Sequence, residues 1–334
     1  MVSFFQIPTM EKAEGRNQTP IEEFIILGFG NGPELQPLLF LLFLVIYIAT
    51  VSGNGLIIAL VVSDQHLHTP MYYLLVNLSF LEICYTSNFL PNLLAILLTT
   101  DRSISVKDCI FQLFIFGALS YSEALLLAAM SYDRYLAICH PLHYTALMNG
   151  RVCGQLVAGS WISGFVGCMI ANSFLWQLKF CGSQEIDHFF CDYSPLIKLS
   201  CEDTRTVELV SSVVAAIGAF VPCLLTLTSY ICIISTVLRI PSTTGRRKAF
   251  STCSSHLIVL TVFYVCVISV YVVPAANTPK VLHKIFSVFY VIMTPLINPV
   301  IYCLRNKEVK ESLRKAIFKL VAFRIQHRNF RETF

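Results

Sequence analysis

The chain is 334 residues long, and 55% of them are apolar while only 13% are charged. Soluble domains carry roughly 25% charged residues, so a pair of ordinary soluble domains is excluded. The formal net charge of +4 is small for so long a chain, and its distribution below marks a membrane topology and not a nucleic-acid partner.

The first twenty residues are polar, and Asn17-Gln18-Thr19 is a glycosylation acceptor. No cleavable leader is expected, because the first apolar run is too long for an h-region of about 7–15 residues. Seven runs follow that are nearly free of Lys, Arg, Asp and Glu. They are Leu35–Ser63, Thr69–Thr100, Cys109–Ser131, Val152–Leu178, Leu209–Leu238, Ala249–Pro279 and Ile285–Leu304. A bilayer core of ~30 Å needs about 20 apolar residues in a helix. Backbone polar groups cannot stay unpaired in lipid, so each run is a helix or a barrel strand. Barrel strands alternate over about 10 residues, and these runs are longer and do not alternate. The chain reads as an all-α membrane protein with seven spanning helices at 35–304, an outer tail at 1–34 and an inner segment at 305–334.

With the amino terminus outside, the inner side carries 15 of the 24 basic residues against five acidic ones. The outer side carries nine basic against thirteen acidic residues, which is the bias expected of this orientation. Asn77-Leu78-Ser79 also matches the glycosylation pattern but lies within a span, so Asn17 is the expected site. The connection from Arg239 to Lys248 holds Pro241 and Gly245 and reads as a basic turn. After the seventh run, Val309, Leu313, Ile317 and Leu320 recur at helical spacing among Lys and Arg. That pattern fits a short amphipathic helix on the inner leaflet, facing anionic lipid.

Of 13 cysteines, nine lie in or beside the spans, where Cys acts as a small apolar residue. Cys109, Cys181, Cys191 and Cys201 fall on the outer side, where disulfides persist. Three pairings are open to four cysteines. A metal site is the rival reading, but ten-residue spacing lacks the short C-x-x-C pairs of zinc ligands.

Glu82 and Glu123 are the carboxylates well inside spans, and intramembrane acids mark function by default. They could share one proton as a like-charge pair or form a polar network with Asn54 and Asn298. An enzyme dyad is the poorest reading, since no nucleophile or metal ligand accompanies them.

Several longer stretches carry a family resemblance. Met130–Tyr144 reads MSYDRYLAICHPLHY, Lys248–Leu257 reads KAFSTCSSHL, and Pro295–Asn306 reads PLINPVIYCLRN. Leu67–Met71 is of the LHTPMY type, and Gly53-Asn54, Trp161, Pro222 and Tyr230 stand in their own spans. With these motifs in order, the chain resembles the rhodopsin-like seven-helix receptors and, within them, the olfactory receptors of the tetrapod type. The resemblance covers about 17–320. Ser131 stands where the family commonly has Ala, and Glu82 where it commonly has Asp.

The resemblance implies a receptor and not an enzyme. Its partners would be a small volatile organic ligand, membrane lipids and a heterotrimeric G protein of the stimulatory or olfactory type. The site would be the plasma membrane, ciliary in olfactory neurons, with the amino terminus extracellular. Asp133, Arg134, Tyr135, Tyr230, Asn298, Pro299 and Tyr302 would serve coupling and activation. Proline at 222 and 299 interrupts the helical ladder, which suits either a moving bend or a fixed kink. A sodium ion at Glu82 and Glu123, with Asn54 and Asn298, is the implied cofactor. A disulfide Cys109–Cys191 is implied too, and Cys181–Cys201 is expected to close a smaller loop.

The ligand pocket is expected between the outer halves of spans three, five, six and seven. Counting outward along the helix from Glu123 puts Phe116, Gly117, Ser120 and Tyr121 on or near its inward face in span three. By resemblance, Tyr264, Val267, Ile268 and Tyr271 would line it from span six, Val288 with Val291 from span seven, and Ala215 with Gly218 from span five. An apolar lining with a few hydroxyls suits a small uncharged molecule. Amines and carboxylates would need a buried counter-charge. The plainer reading of each of these residues is helix packing. Two rival functions remain: a rhodopsin-like receptor for a lipid or peptide, and a seven-helix transporter. Transport would call for broken midplane helices and pseudo-symmetric halves, which the sequence lacks.

Overall fold

The computed structural model describes residues 21–29, 32, 34–99, 101–267 and 280–318, the side chains of 248–252, 255, 280–283 and 303–305 excepted. Asn17, Ile268 and Tyr271 lie outside the described residues. The long helices are α1 (Gln36–Ser63), α2 (Pro70–Leu98), α3 (Val106–Cys139), α5 (Gly150–Leu175), α7 (Arg205–Arg239) and α8 (Thr243–Val267). Short helices α4 (Tyr144–Leu147) and α6 (Tyr193–Ile197) lie in connections. The last span is built from α9 (Lys280–Val288), a π turn at Phe289–Met293 and α10 (Thr294–Arg305). A final helix, α11, runs over 307–318. Six helices among the described residues are long and apolar enough to cross a membrane, and α8 adds an apolar stretch, His256–Val267. The architecture is the expected seven-helix bundle.

Helix α3 is the axis, packed against α2, α5 and α7. It begins at a reciprocal cap, where Ser105 Oγ accepts from the Asp108 N–H at 3.1 Å and donates to its carboxylate at 2.7 Å. It runs on through Asp133-Arg134-Tyr135 to Cys139, so the triplet lies inside the helix and not at its end. The helix stops at His140 because Pro141 disfavours the helical region for the residue before it. The turn expected over Arg239–Lys248 is shorter than the sequence suggests. Helix α8 starts at Thr243, so Arg246 and Arg247 belong to its first turns.

The π turn has a local cause. Pro295 has no N–H to give a carbonyl one turn earlier, and the ladder relaxes to a wider register just ahead of it. Where α1 crosses α10, a Cβ on Gly53 would sit 3.2 Å from the Pro299 ring, so glycine sets that close approach. Helix α11 docks on the inner ends of α1 and α2. Tyr72 donates to Glu308 at 2.6 Å and to Asn306 at 3.0 Å. The Asp64 carboxyl, after α1, is held below the usual carboxylate range by the His66 N–H and then by the Ser312 hydroxyl.

The described part of the tail joins a small sheet. Its strand β1 (Glu23–Ile26) lies between β2 (Ser103–Ser105), antiparallel, and β3 (Glu185–Ile186), parallel. Phe24 and Ile26 alternate inward and are fully buried in a small second core. An all-α reading therefore needs this sheet added. The period-two signal was there in Phe24 and Ile26, but four residues are too few to weigh against helical runs.

Candidate functional site

The site has three tiers along α3. The first lies at the end that carries the tail. Cys109 is bonded to Cys191 with Cα atoms 5.5 Å apart, and Cys181 to Cys201 at 5.8 Å. The first link holds the α5–α7 connection against α3, and Gln112 Oε1 accepts the Cys191 N–H there at 3.0 Å. Phe190 is thereby lowered onto the helices. Its ring lies 5.1 Å from Phe116 and 5.8 Å from Phe89. Phe116 also meets Tyr85 at 5.1 Å and Tyr290 at 6.5 Å, and Phe263 lies 6.1 Å from Tyr290. The Ser120 hydroxyl is buried there without a hydrogen-bond partner. Aromatic rings with a few hydroxyl tips line this region.

Several expected lining residues sit elsewhere. A Cβ on Gly117 would lie 3.1 Å from Cys168 Sγ, so Gly117 faces α5. The Tyr121 ring fills the gap between Gly167 and Gly218, where a Cβ would come within 3.0 and 3.2 Å of it. Tyr121 and Gly218 are thus a packing pair across α3, α5 and α7. Ala215 is exposed, off the packed face of α7. Tyr264 turns to Thr226 of α7, 3.3 Å away. Val267 and Val288 are half-buried and Val291 is fully buried. The aromatic centre in the last span is Tyr290, which the residues expected from that span, Val288 and Val291, did not include. Tyr290 lies within the π turn, where the local register widens.

The second tier is a buried polar cluster at mid-bundle. Asn298 Nδ2 donates to the Glu82 carboxylate, and Asn54 Nδ2 donates to the carbonyls of Thr50 at 3.1 Å and Pro295 at 3.2 Å. Glu82 and Glu123 are both almost fully buried. Glu123 Oε1, Asn54 Oδ1, Asn298 Oδ1 and Thr50 Oγ1 are buried without a hydrogen-bond partner. Unpartnered oxygens of this kind are the donors a hard cation takes, so an alkali ion suits their chemistry. Among the described residues no three His, Cys, Asp or Glu side chains gather for a tighter metal.

The third tier is at the far end. Arg134 is clamped by Asp133, with Nε to Oδ2 at 2.9 Å and a second contact from the same guanidinium. Tyr144 of α4 donates to the other Asp133 oxygen at 2.7 Å. Tyr135 pairs with His140 at 2.9 Å. Tyr230 of α7 is bonded to His256 Nδ1 of α8 at 2.9 Å, and the Tyr302 hydroxyl is buried with no partner. Sequence reading missed Tyr144 and His256, although both lie within the quoted motifs. Their partners are distant along the chain or on another helix. Arg134 is thus held by Asp133 and Tyr230 by His256, while the Tyr302 hydroxyl stays unpartnered.

Known proteins resemble this chain over most of its length. Residues 43–320 match the olfactory receptor family. Olfactory receptor 6F1 of Homo sapiens is 49% identical over 299 residues, covering 90% of this chain and 97% of that protein. Olfactory receptor 11A1 of Homo sapiens is 48% identical, covering 92% and 97%. Olfactory receptor 5AP2 of Mus musculus is 43% identical, covering 92% and 97%. Among solved structures, squid rhodopsin superposes with a TM-score of 0.67 at 16% identity, over 87% of each chain. That likeness speaks to the fold.

Proposed function

The chain belongs to the olfactory receptor family, and from that premise we propose how its three tiers turn odorant binding into a signal. It is a multi-pass plasma-membrane receptor that takes a small ligand and couples to a G protein. The orientation puts the tail and disulfides outside, on the charge bias of the loops, and the ciliary membrane is its site.

The ligand is a neutral, mostly apolar volatile molecule. The observation that carries this is the aromatic cluster of Phe116, Tyr85, Tyr290 and Phe263, which offers contact area and hydroxyls without Lys or Arg. Such a lining rewards apolar burial and fixes orientation with a few polar contacts. Ligand pressing on Tyr290 acts on the π turn itself, where the last span is least firmly laddered. Movement there reaches Asn298 and Pro299, which belong to the polar cluster and the α1 contact. A sodium ion held by Glu82, Glu123, Asn54 and Asn298 would supply positive charge that favours the resting packing. At the inner end, release of Arg134 from Asp133 lets the guanidinium meet a stimulatory G protein of the olfactory type. Tyr230 and Tyr302 would hold Arg134 once it swings.

The test is a panel of neutral odorants applied to cells that express the receptor with the olfactory stimulatory α subunit, read by cyclic AMP. At least one neutral volatile should raise cyclic AMP in a saturable way. A response to peptides or lipids alone would overturn the ligand class.

A further inference from the structure

The outer mouth of the bundle is closed by three segments far apart in sequence. Strand β1 holds the tail between β2 and β3, so the tail and the α5–α7 connection share one sheet. Beneath it, Phe29 stacks between Phe43 of α1 at 5.5 Å and Phe189 at 5.2 Å. Phe189 is continuous with Phe190, whose ring rests on Phe116. An aromatic column thus runs from the tail into the ligand region.

One charged contact spans all three segments. Lys284, at the outer end of the last span, donates to the Gly28 carbonyl at 2.8 Å and to Asp187 Oδ1 at 2.7 Å. Gly28 has φ of +65°, a left-handed turn that suits glycine, and it ends β1 just before Phe29. The Lys284 side chain is only 13% exposed, while that of Asp187 is 41% exposed. The other ion pairs described at this end behave differently. Lys179–Glu202 at 3.7 Å and Arg205–Asp203 at 3.9 Å join neighbouring parts of the α5–α7 region, and their cations are 76% and 89% exposed. Exposed pairs of that kind contribute little, while a sheltered, short, two-partner contact holds its groups in register.

We propose that Lys284 is the latch of a lid, and that the Lys284–Asp187–Gly28 bridge governs how fast ligand passes between water and the aromatic cluster. This rests on the reading of that cluster as the ligand site. With the bridge made, the tail sheet and Phe189-Phe190 cover the mouth. With it broken, the sheet keeps its disulfide anchor to α3 but loses its tie to the last span. Phe29 and Phe189 can then swing away together. Disulfides hold the hinge side and Lys284 holds the free side. The latch therefore acts on both directions of ligand exchange, and affects residence time more than equilibrium potency.

The experiment has an arm that needs no agonist. Ser120→Cys places a thiol below the lid, and a membrane-impermeant thiol reagent added outside can reach it only through the mouth. Labelling is measured over the background of the parent chain's own cysteines. Adding Lys284→Met or Asp187→Asn should speed labelling roughly tenfold, the scale of one lost charged hydrogen bond. The exchanged pair, Lys284→Asp with Asp187→Lys, should restore much of the slow rate. In a second arm, without Ser120→Cys, the Lys284→Met receptor should lose its cyclic AMP response faster after agonist washout. Surface staining in unpermeabilised cells selects variants that fold and reach the membrane. Equal labelling rates in all folded variants would overturn the latch, as would rapid labelling of the parent. Latch-dependent labelling in a receptor silent to every odorant would support the lid and count against the odorant reading alone.

Discussion

At the residue scale, the inner switch rests on the two oxygens of Asp133. One is held by Arg134 and the other by Tyr144, and Asp133 is fully buried. Tyr144→Phe removes only the second bond and leaves Asp133 less firmly placed. Agonist-independent cyclic AMP should rise by about two- to tenfold, since a hydrogen bond to a charged group contributes roughly 1.5–3 kcal/mol and part is recovered by water. Unchanged basal signalling at equal surface expression would show that Tyr144 is a bystander. Gly117 is a different case. On helical counting it lines the pocket, and a larger side chain should exclude bulky agonists. With Cys168 Sγ only 3.1 Å from its Cβ position, Gly117→Leu should instead push α3 from α5 and lower surface expression. A variant that expresses normally and loses only its largest agonists would return Gly117 to the pocket.

The motif residues were legible because their chemistry is rare inside a bilayer. Asp133, Arg134, Glu82 and Asn298 could be picked out by polarity alone, and the structure places Asn298 on Glu82 and Arg134 on Asp133. The pocket was less legible. Apolar side chains that touch ligand and those that touch a neighbouring helix look alike in a sequence, and Tyr121 between Gly167 and Gly218 is an instance.

At the scale of elements, helices in lipid gain little from hydrophobic burial against one another and depend on close packing of small residues. Helix α5 shows both sides of this rule. A Cβ on Gly164 would lie 2.2 Å from Ser122 Oγ and 2.5 Å from the Ala118 carbonyl, against the α3 backbone. Gly159, on the same helix, has nothing within 4 Å of its Cβ position. Gly164→Ala should cost about 1–3 kcal/mol through overpacking, seen as a lower melting temperature of the solubilised receptor and less of it at the surface. Gly159→Ala should be neutral or stabilise by up to about 1 kcal/mol, as alanine replaces glycine mid-helix. Equal stability of the two variants would mean α3 and α5 lie further apart than described. The span positions themselves were plain from composition, and helix ends moved by a few residues where caps and prolines decide. The sheet and the π turn were not plain, because each depends on a few residues whose partners are remote.

At the scale of the molecule, the tiers form one line from the lid, through Tyr290 and the polar cluster, to Arg134. Every part of that line meets α3 or the last span. A break at the inner end should therefore silence output without touching ligand recognition. Arg134 lies fourteen positions beyond Ser120 on the same helix, about 20 Å at 1.5 Å per residue. The measurement that tests this most directly is odorant-stimulated guanine-nucleotide exchange on the stimulatory α subunit in receptor membranes, run beside binding of the same labelled odorant. The account predicts saturable exchange with a neutral volatile agonist, and its loss in Arg134→Ala while binding of the agonist is retained. Normal exchange in a surface-expressed Arg134→Ala receptor, or exchange evoked by charged ligands and by no neutral one, would contradict it.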